Sequence, residues 1–224
     1  MMSIKSTGSQ ITLVYQVKFL TFTPDQFNQV LKEKGFTMTP SQVTNPLGQI
    51  AQIQLFSKGN LVVFFAQNPQ NPTQTQIIFQ ALNTVSLTSA LSGGTSPNQN
   101  IMDILMGLNI VEDVVSQVAF NCTTRVAVEL DPTKILTSGI RPALLEKITK
   151  ALGSSLNVTS LRLGTAHPLQ KGMQLTLEPL VSNPTKELFV NVVFQTSDMA
   201  EFNEFIRGFG EDAIRSTIEA ITSV

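Results

Sequence analysis

Few residues of this 224-residue chain are suited to acid–base or nucleophilic chemistry, because it has one histidine and one cysteine. His167 lies in the segment TAHPLQKG, and a histidine can act as a general base because its pKa lies near neutrality. No acid or nucleophile is close to it in sequence, which favours a solvated loop histidine. Cys122 falls on the apolar side of a predicted strand, where a buried thiol is inert. One cysteine and one histidine cannot supply the usual ligands of a zinc site.

The acidic residues include one pair with helical spacing. Glu201 and Glu204 are three residues apart, so they share a helix face and could hold a divalent cation or act as an acid–base pair. The other face of this helix carries Phe202, Phe205 and Phe209, which favours a solvated face for the carboxylates. No phosphate-binding glycine loop is present. We therefore predict that the chain is not an enzyme and has no catalytic, cofactor-binding or metal site, with carboxylate-only catalysis left open.

Composition predicts a soluble protein with a weakly charged surface. Apolar residues make up 42% of the chain, while charged residues make up 14%, against roughly 25% in typical soluble domains. The net charge is −1 and the basic residues are scattered, so the electrostatic attraction that dominates nucleic-acid affinity is not visible. The apolar segment 11–20 is interrupted by Gln16 and Lys18, unlike a signal-peptide core. We predict a cytoplasmic protein without a membrane segment.

Two stretches of the chain share one order of elements: strand, turn, stronger strand and amphipathic helix. The first stretch reads AQIQLF, SKGN, LVVFFAQ and NPTQTQIIFQALNTV, and the second reads MQLTLEPL, VSNPTKE, LFVNVVF and QTSDMAEFNEFIRGF. Each is preceded by an alternating strand, around residues 11–19 and 120–130, and by a helix. The predicted fold class is α+β, with two similar halves, each an antiparallel sheet backed by helices.

The predicted organisation has three parts. Residues 10–88 form an N-terminal half, residues 89–117 a linker with bridging helices, and residues 118–224 a C-terminal half. The clearest linker is SALSGGTSPNQN at 89–100. In the first half we expect a helix that begins at Thr23-Pro24, a loop over 37–48 with one short strand left open, and a second helix that begins at Asn71-Pro72. In the second half we expect a helix over 142–152 and a final helix capped by Ser197 or Asp198 and kinked near Gly208 and Gly210.

The duplicated order resembles the TATA-binding-protein-like architecture. The segments Ala51 to Leu82 and Met173 to Phe209, with the closing helix EDAIRSTIEAI, are also similar to a sporadically distributed prokaryotic two-half family of unknown function. The resemblance implies a fold and carries no functional residue. Minor-groove binding needs a basic saddle with apolar wedges, whereas the predicted sheet faces here carry little positive charge.

The predicted function is a non-catalytic binding or assembly module that acts through protein–protein contacts, with a protein partner or with a second copy of itself. Its predicted interaction surface comprises the polar strand positions Gln52, Gln54, Gln174 and Thr176, because a nearly neutral polar face opposes contact only weakly. One alternative is a protein that binds a small apolar ligand in a cavity between sheet and helices. Another is a nucleic-acid-binding saddle, which the charge balance disfavours. No cofactor is predicted.

Overall fold

The computed structural model of the chain describes residues 5–44, 50–68, 71–84, 97–140, 142–152, 158–165, 172–209 and 211–222. Within these ranges nine strands form one antiparallel sheet that is backed by six helices, which confirms the predicted α+β class. The strands are β1 Lys5–Val17, β2 Thr37–Thr44, β3 Ile50–Lys58, β4 Leu61–Asn68, β5 Asn71–Thr84, β6 Val115–Ala127, β7 Leu161–Gly164, β8 Gly172–Pro179 and β9 Glu187–Thr196. The helices are α1 Pro24–Glu33, α2 Pro97–Gly107, α3 Pro132–Ser138, α4 Pro142–Leu152, α5 Met199–Gly208 and α6 Glu211–Thr222.

The strand order places the first strand of each sequence half at the centre of the sheet. The order is β2-β3-β4-β5-β1-β6-β9-β8-β7, so β1 lies beside β5 and β6 lies beside β9. β1 and β6 pair with each other in antiparallel register, with Leu13 opposite Phe120 and Tyr15 opposite Val118. The strands of residues 5–84 and those of residues 115–196 thus belong to one continuous sheet.

The sheet buries one of its two faces. Along β9, Leu188, Val190, Val192 and Phe194 are buried and their neighbours in between are half-buried, as the period of two of a strand requires. The same face is buried in β1, β4, β5 and β6, and we call it the core face. Side chains on the other face of the described strands, the open face, are half-buried or exposed.

Helix α1 follows the prediction and covers the core face over β3 and β4. Thr23 is its N-cap and accepts a hydrogen bond from the backbone N–H of Gln26 at 3.2 Å, which satisfies one free donor of the first turn. The ring of Phe27 is fully buried, with its centroid 5.6 Å from that of Phe56 and 4.9 Å from that of Phe65. These contacts fill the space under α1.

The predicted helix after Asn71-Pro72 is wrong, because this segment forms strand β5. Ile77, Phe79 and Ala81 are buried and alternate with half-buried Ile78 and Gln80. β5 pairs with β4 on one side and β1 on the other, with Phe79 opposite Val63 and Leu13. Two ladders of backbone hydrogen bonds and burial on one face therefore outweigh the helix-like spacing of the apolar residues.

Several further boundaries differ from the prediction. The segment 37–48, expected as a loop with one short strand left open, contains strand β2. One of the bridging helices expected in 89–117, with its start at Asn109, is a three-residue 3₁₀ turn, Glu112–Val114. Helix α3 was not predicted.

The expected final helix is two helices, α5 and α6, and Asp198 caps α5 as predicted by accepting from two backbone N–H groups at 2.8 and 3.0 Å. Residues 89–96 of the predicted linker lie outside the described residues. Its last four residues, 97–100, form the start of α2. The division into 10–88, 89–117 and 118–224 stays a prediction.

The two edges of the described sheet differ from its interior strands. β2 carries Pro40, which has no backbone N–H to donate, opposite Gln54 of β3. β7 spans four residues and pairs with β8 from Leu161 to Gly164. Proline and short length are both typical of edge strands.

A matched pair of alanine substitutions tests the placement of β5. Phe79→Ala removes a fully packed core-face ring and should lower the free energy of unfolding by about 3–5 kcal/mol. Ile78→Ala removes a half-buried open-face side chain and should cost about 1 kcal/mol or less. Chemical denaturation of the two variants and the wild type measures the difference, and equal losses at the two positions would contradict a strand here.

Candidate ligand-binding cavity

A cavity of about 450 Å³ lies between strands β8 and β9 and helices α5 and α6. The strands contribute core-face side chains, and the helices contribute the residues that turn toward the sheet. Its lining comprises Met173, Leu175, Leu177, Val190, Val192, Phe194, Glu201, Glu204, Phe205, Gly208, Phe209, Ala213, Ile214, Thr217 and Ile218. Apolar residues make up most of this surface, so the cavity can accept an apolar molecule.

The local sequence explains why the helices leave this space. In α5, Phe202 and Ile206 are buried in the main core, whereas Phe205 and Phe209 lie on the neighbouring stripe and line the cavity. Phe209 follows the end of α5 in an extended conformation, with φ −84° and ψ 127°. The chain therefore changes direction before α6, and α6 closes the cavity from another side.

Exposure varies strongly along the cavity. Leu177, Val190 and Ile218 are fully buried and form its floor, whereas Met173 is 45% exposed. Glu204 and Gly208 are also exposed. We call the region of Met173, Glu204 and Gly208 the mouth, since a molecule from solvent reaches the floor by passing these residues.

Phenylalanine rings form one wall of the cavity. The rings of Phe194 and Phe205 stack with centroids 4.2 Å apart, and those of Phe205 and Phe209 stack at 5.5 Å. Phe120 of β6 meets Phe205 and Phe209 edge-on, at 5.3 and 4.8 Å. Such pairs are worth about 0.5–1.5 kcal/mol each beyond their buried area, so this wall is held firmly in place.

Two carboxylates lie in the lining of this apolar space. Glu201 is half-buried, and its Oε2 accepts a hydrogen bond from Thr196 Oγ1 at 2.9 Å. Thr196 is itself buried at the end of β9, and its Oγ1 accepts from the backbone N–H of Asp198 at 3.1 Å. Glu204 is exposed at the mouth. The sequence favoured a solvated helix face for this pair; the structure has Glu204 exposed and Glu201 half-buried, and both residues line the cavity.

The carboxylate pair does not form a metal centre with other ligands. Among the residues that the structure describes, no group of three or more His, Cys, Asp or Glu side chains is placed to hold a metal ion. Two carboxylates alone fall short of the six to eight oxygen ligands that Ca²⁺ takes.

Cys122 is buried on the apolar side of its strand, as the sequence predicted. Cys122 lies fully buried on the core face of β6, and burial raises the pKa of its thiol from 9.0 to about 12. It does not line the cavity. Burial also raises the pKa of the Tyr15 hydroxyl well above its ordinary value. His167 lies outside the described residues.

The four residues of the predicted interaction surface do not form one surface. Gln54 shares its strand parity with buried Phe56, so it lies on the core-face side of β3, whereas Gln174 and Thr176 lie on the open face of β8. Gln52 lies opposite Gln42 in the pairing of β3 with β2. In the strand order β3 is second and β8 is eighth, so the two groups are roughly 29 Å apart at about 4.8 Å per strand spacing.

Sequence reasoning identified most of the lining residues as core and gave a cavity between sheet and helices only as an alternative, without placing it. The alternation in β8 and β9 and the spacing of Phe205 and Phe209 were visible. The one sequence feature that could have indicated a space beside Phe205 and Phe209 is Gly208, because this last residue of the helix has no side chain to fill it.

Comparisons with known proteins give little to set beside this geometry. No protein-family model and no curated protein matches the sequence. Among solved structures, the chain is similar to the crystal structure of the di-domain ARO/CYC BexL from the BE-7585A biosynthetic pathway, at 10% identity and a TM-score of 0.22. The match covers 96% of this chain and 93% of that chain. A likeness of this size assigns no activity to the present protein.

The prediction that the chain is not an enzyme is nevertheless contradicted. The finding set against this prediction is that a structural neighbour is an ARO/CYC, an aromatase/cyclase. The prediction rested on the lack of a histidine–cysteine–acid set, and two carboxylates in an apolar cavity do not depend on such a set.

No helix in the described part of the chain is both long enough and apolar enough to cross a membrane.

Cys122 provides a test of core-face burial by chemistry and by pH. The native thiol should resist iodoacetamide at neutral pH and react fully in denaturant, because the buried thiol stays protonated. The folded protein keeps this proton between about pH 9 and pH 12, where the unfolded chain releases it, so stability falls as pH rises through that window. Comparing Cys122→Ala with the wild type by denaturation at several alkaline pH values isolates this loss from that of Tyr15. Rapid modification of the native thiol would contradict the burial.

Proposed function

We propose that this protein binds a small, mainly apolar molecule in the cavity between β8, β9, α5 and α6. The observation that carries the proposal is the cavity itself, which opens to solvent at its mouth and reaches fully buried apolar residues at its floor, as concave small-molecule sites do. Its volume of about 450 Å³ falls within the roughly 300–1,000 Å³ of small-molecule sites. A predominantly apolar lining with two polar groups is also the usual composition of such sites.

The floor of the cavity supplies the binding energy. Leu177, Val190 and Ile218 are fully buried, so a ligand that reaches them loses its contact with water. Each methylene group transferred from water contributes about 0.8 kcal/mol. The rigid wall of Phe194, Phe205 and Phe209 limits the entropy lost on binding, because its rings are already fixed by one another.

The architecture that holds the cavity is, in our proposal, a duplication with a TATA-binding-protein-like arrangement. The strand order supports it: in each sequence half the first strand lies beside the last, and the two first strands, β1 and β6, pair at the centre. α1 of the first half and α3 with α4 of the second occupy the same place in the order of elements. The cavity described here belongs to the second half.

Self-assembly through the open face is a second candidate. Phe64, Ile78, Val14 and Ala119 occupy facing positions on β4, β5, β1 and β6, and all four are half-buried. They form an apolar row across the middle of the sheet. A second copy of this chain is the proposed occupant, since the chain is nearly neutral and two copies would repel each other little.

Substitutions at the mouth test the ligand-binding proposal. A Cβ added at Gly208 meets no atom within 4 Å, so the backbone accepts a side chain here and Gly208→Phe places a ring at the mouth. Wild-type protein should bind the neutral dye Nile red with a blue-shifted emission, and Gly208→Phe should weaken that binding about tenfold or more. Gly208→Ala is the matched control and should bind as the wild type does.

Equal Nile red binding by Gly208→Phe and the control would contradict the proposal. Native mass spectrometry of gently purified protein gives an independent measurement, in which a bound small molecule adds to the mass of 24.4 kDa.

Val14→Lys tests the second candidate. A charge in the middle of the apolar row should dissociate a dimer, because an unpaired buried charge is strongly unfavourable at an interface. Sedimentation measurements of the wild type and the variant at matched concentrations show the change. A monomeric wild type, or a variant with an unaltered oligomeric state, would rule out assembly through this face.

A further inference from the structure

We infer that the ligand is a fused-ring aromatic molecule, which packs against the phenylalanine wall and fills the cavity down to its floor. This inference rests on the proposed function, because it names the class of molecule that the same cavity takes. Phe194 of β9 and Phe205 and Phe209 at the C-terminal end of α5 all belong to the lining. They give the otherwise aliphatic lining one aromatic side.

The wall belongs to a series of stacked rings that ends in the cavity. Phe194 has two stacked neighbours, Phe202 at 6.3 Å and Phe205 at 4.2 Å between ring centroids. At one end of the series Phe202 is buried in the main core. At the other end, Phe209 stacks on Phe205 at 5.5 Å and on no further ring of the described residues. Phe209 is half-buried and lines the cavity, so an aromatic ligand can continue the stack there.

Aromatic rings attract each other by more than their buried area explains. A ring carries negative charge density on its faces and positive charge density at its edge, so two rings gain energy when they meet offset-stacked or edge to face. An aromatic ligand gains this energy from the wall in either arrangement. A saturated molecule with the same skeleton lacks that charge distribution and gains only from the burial of its area.

The mouth of the cavity favours the same class of ligand. Met173 lies opposite Phe194 in the pairing of β8 with β9, and it is 45% exposed. A thioether sulfur makes favourable contacts with aromatic rings, and the unbranched methionine side chain adapts to the shape of its neighbour. Met173 can therefore pack on a ligand ring that the wall holds from the other side.

The size of the cavity sets the number of rings. An apolar cavity of about 150 Å³ binds one benzene molecule, and the cavity here has about 450 Å³. Two or three rings therefore fit. Fused rings lose little conformational freedom on binding, whereas a flexible chain of the same size must be ordered at a cost in entropy.

Naphthalene and decalin test the inference as a matched pair. They have the same fused carbon skeleton and no polar group, and each is titrated at neutral pH into the full-length protein loaded with Nile red. Decalin buries at least as much apolar area, so burial alone predicts equal or tighter binding of decalin. We expect naphthalene to bind about tenfold more tightly, because it also interacts with the rings of the wall.

Phe205→Leu and Phe209→Leu locate the preference. Each removes a ring and keeps an apolar side chain, so the naphthalene-to-decalin preference should fall to about threefold or less while decalin affinity changes by about twofold or less. Phe65→Leu is the matched control, because Phe65 is also half-buried and contacts the rings of Phe22 and Phe27 under α1, far from the cavity. This control should keep the preference.

A measurement on the wild type does not depend on the stability of any variant. The protein is prepared with protonated phenylalanine rings in a deuterated background, and nuclear Overhauser effects are recorded with naphthalene. Naphthalene protons should show effects to phenylalanine ring protons, and an excess of Nile red should remove them. Their absence under conditions where naphthalene displaces Nile red would overturn the inference.

The outcomes separate this inference from the proposed function. Failure of both probes to displace Nile red would overturn ligand binding in this cavity and the aromatic class with it. Equal binding of the two probes, tighter binding of decalin, or a naphthalene preference that survives both leucine variants would overturn the aromatic class alone. A preference that is lost in the leucine variants and kept in Phe65→Leu supports the inference.

Discussion

The structure depends on the pairing of β1 with β6. These two thirteen-residue strands meet at the centre of the described sheet and join the strands of residues 5–84 to those of residues 115–196. Their core faces bring Leu13 and Phe120 together, and the hydroxyls of Ser9 and Thr124 form a buried hydrogen bond of 2.8 Å. The paired residues are about a hundred positions apart in sequence. Forming this contact therefore costs the conformational entropy of closing a long loop, which the contacts between the two strands must offset. One register then fixes the core face for every other strand.

The core face is covered by helices near both ends of the sheet. The side chains of these helices pack differently over β3 and β4 than over β8 and β9. Over β3 and β4 a single helix places Phe27 in contact with three other rings, those of Phe22, Phe56 and Phe65. Over β8 and β9 two helices meet at a bend after Gly208, and their rings form a wall. A bent pair of helices covers a wider strip of sheet than one helix can. The cavity is the space that the bend leaves.

The sequence was a good guide wherever alternation and capping were unambiguous, as in β6, β9, α1 and the start of α5. It failed for β5, because Ile78 on the open face made the apolar residues look like a helical stripe and Asn71-Pro72 looked like a helix start. It also assigned Gln52 and Gln54 to an interaction surface, whereas Gln54 lies on the same side of β3 as the fully buried Phe56. In both cases the conformation or orientation of the strand is set by pairing with neighbouring strands, which a local sequence pattern does not contain. A cavity between sheet and helices was one alternative, but its position could not be predicted, because it depends on the distance between elements, which no residue pattern contains.

The edges of the sheet have a consequence for how copies of the protein meet. β2 offers an incomplete ladder because Pro40 lacks an N–H, and β7 offers only four residues. Neither border is a good template for a strand from another molecule. A sheet that wide, with one face unburied, would otherwise be prone to grow sideways into a fibre. In the self-assembly proposed above as a second candidate, contacts between copies would lie on the broad face, where two-fold symmetry closes an assembly at a fixed size.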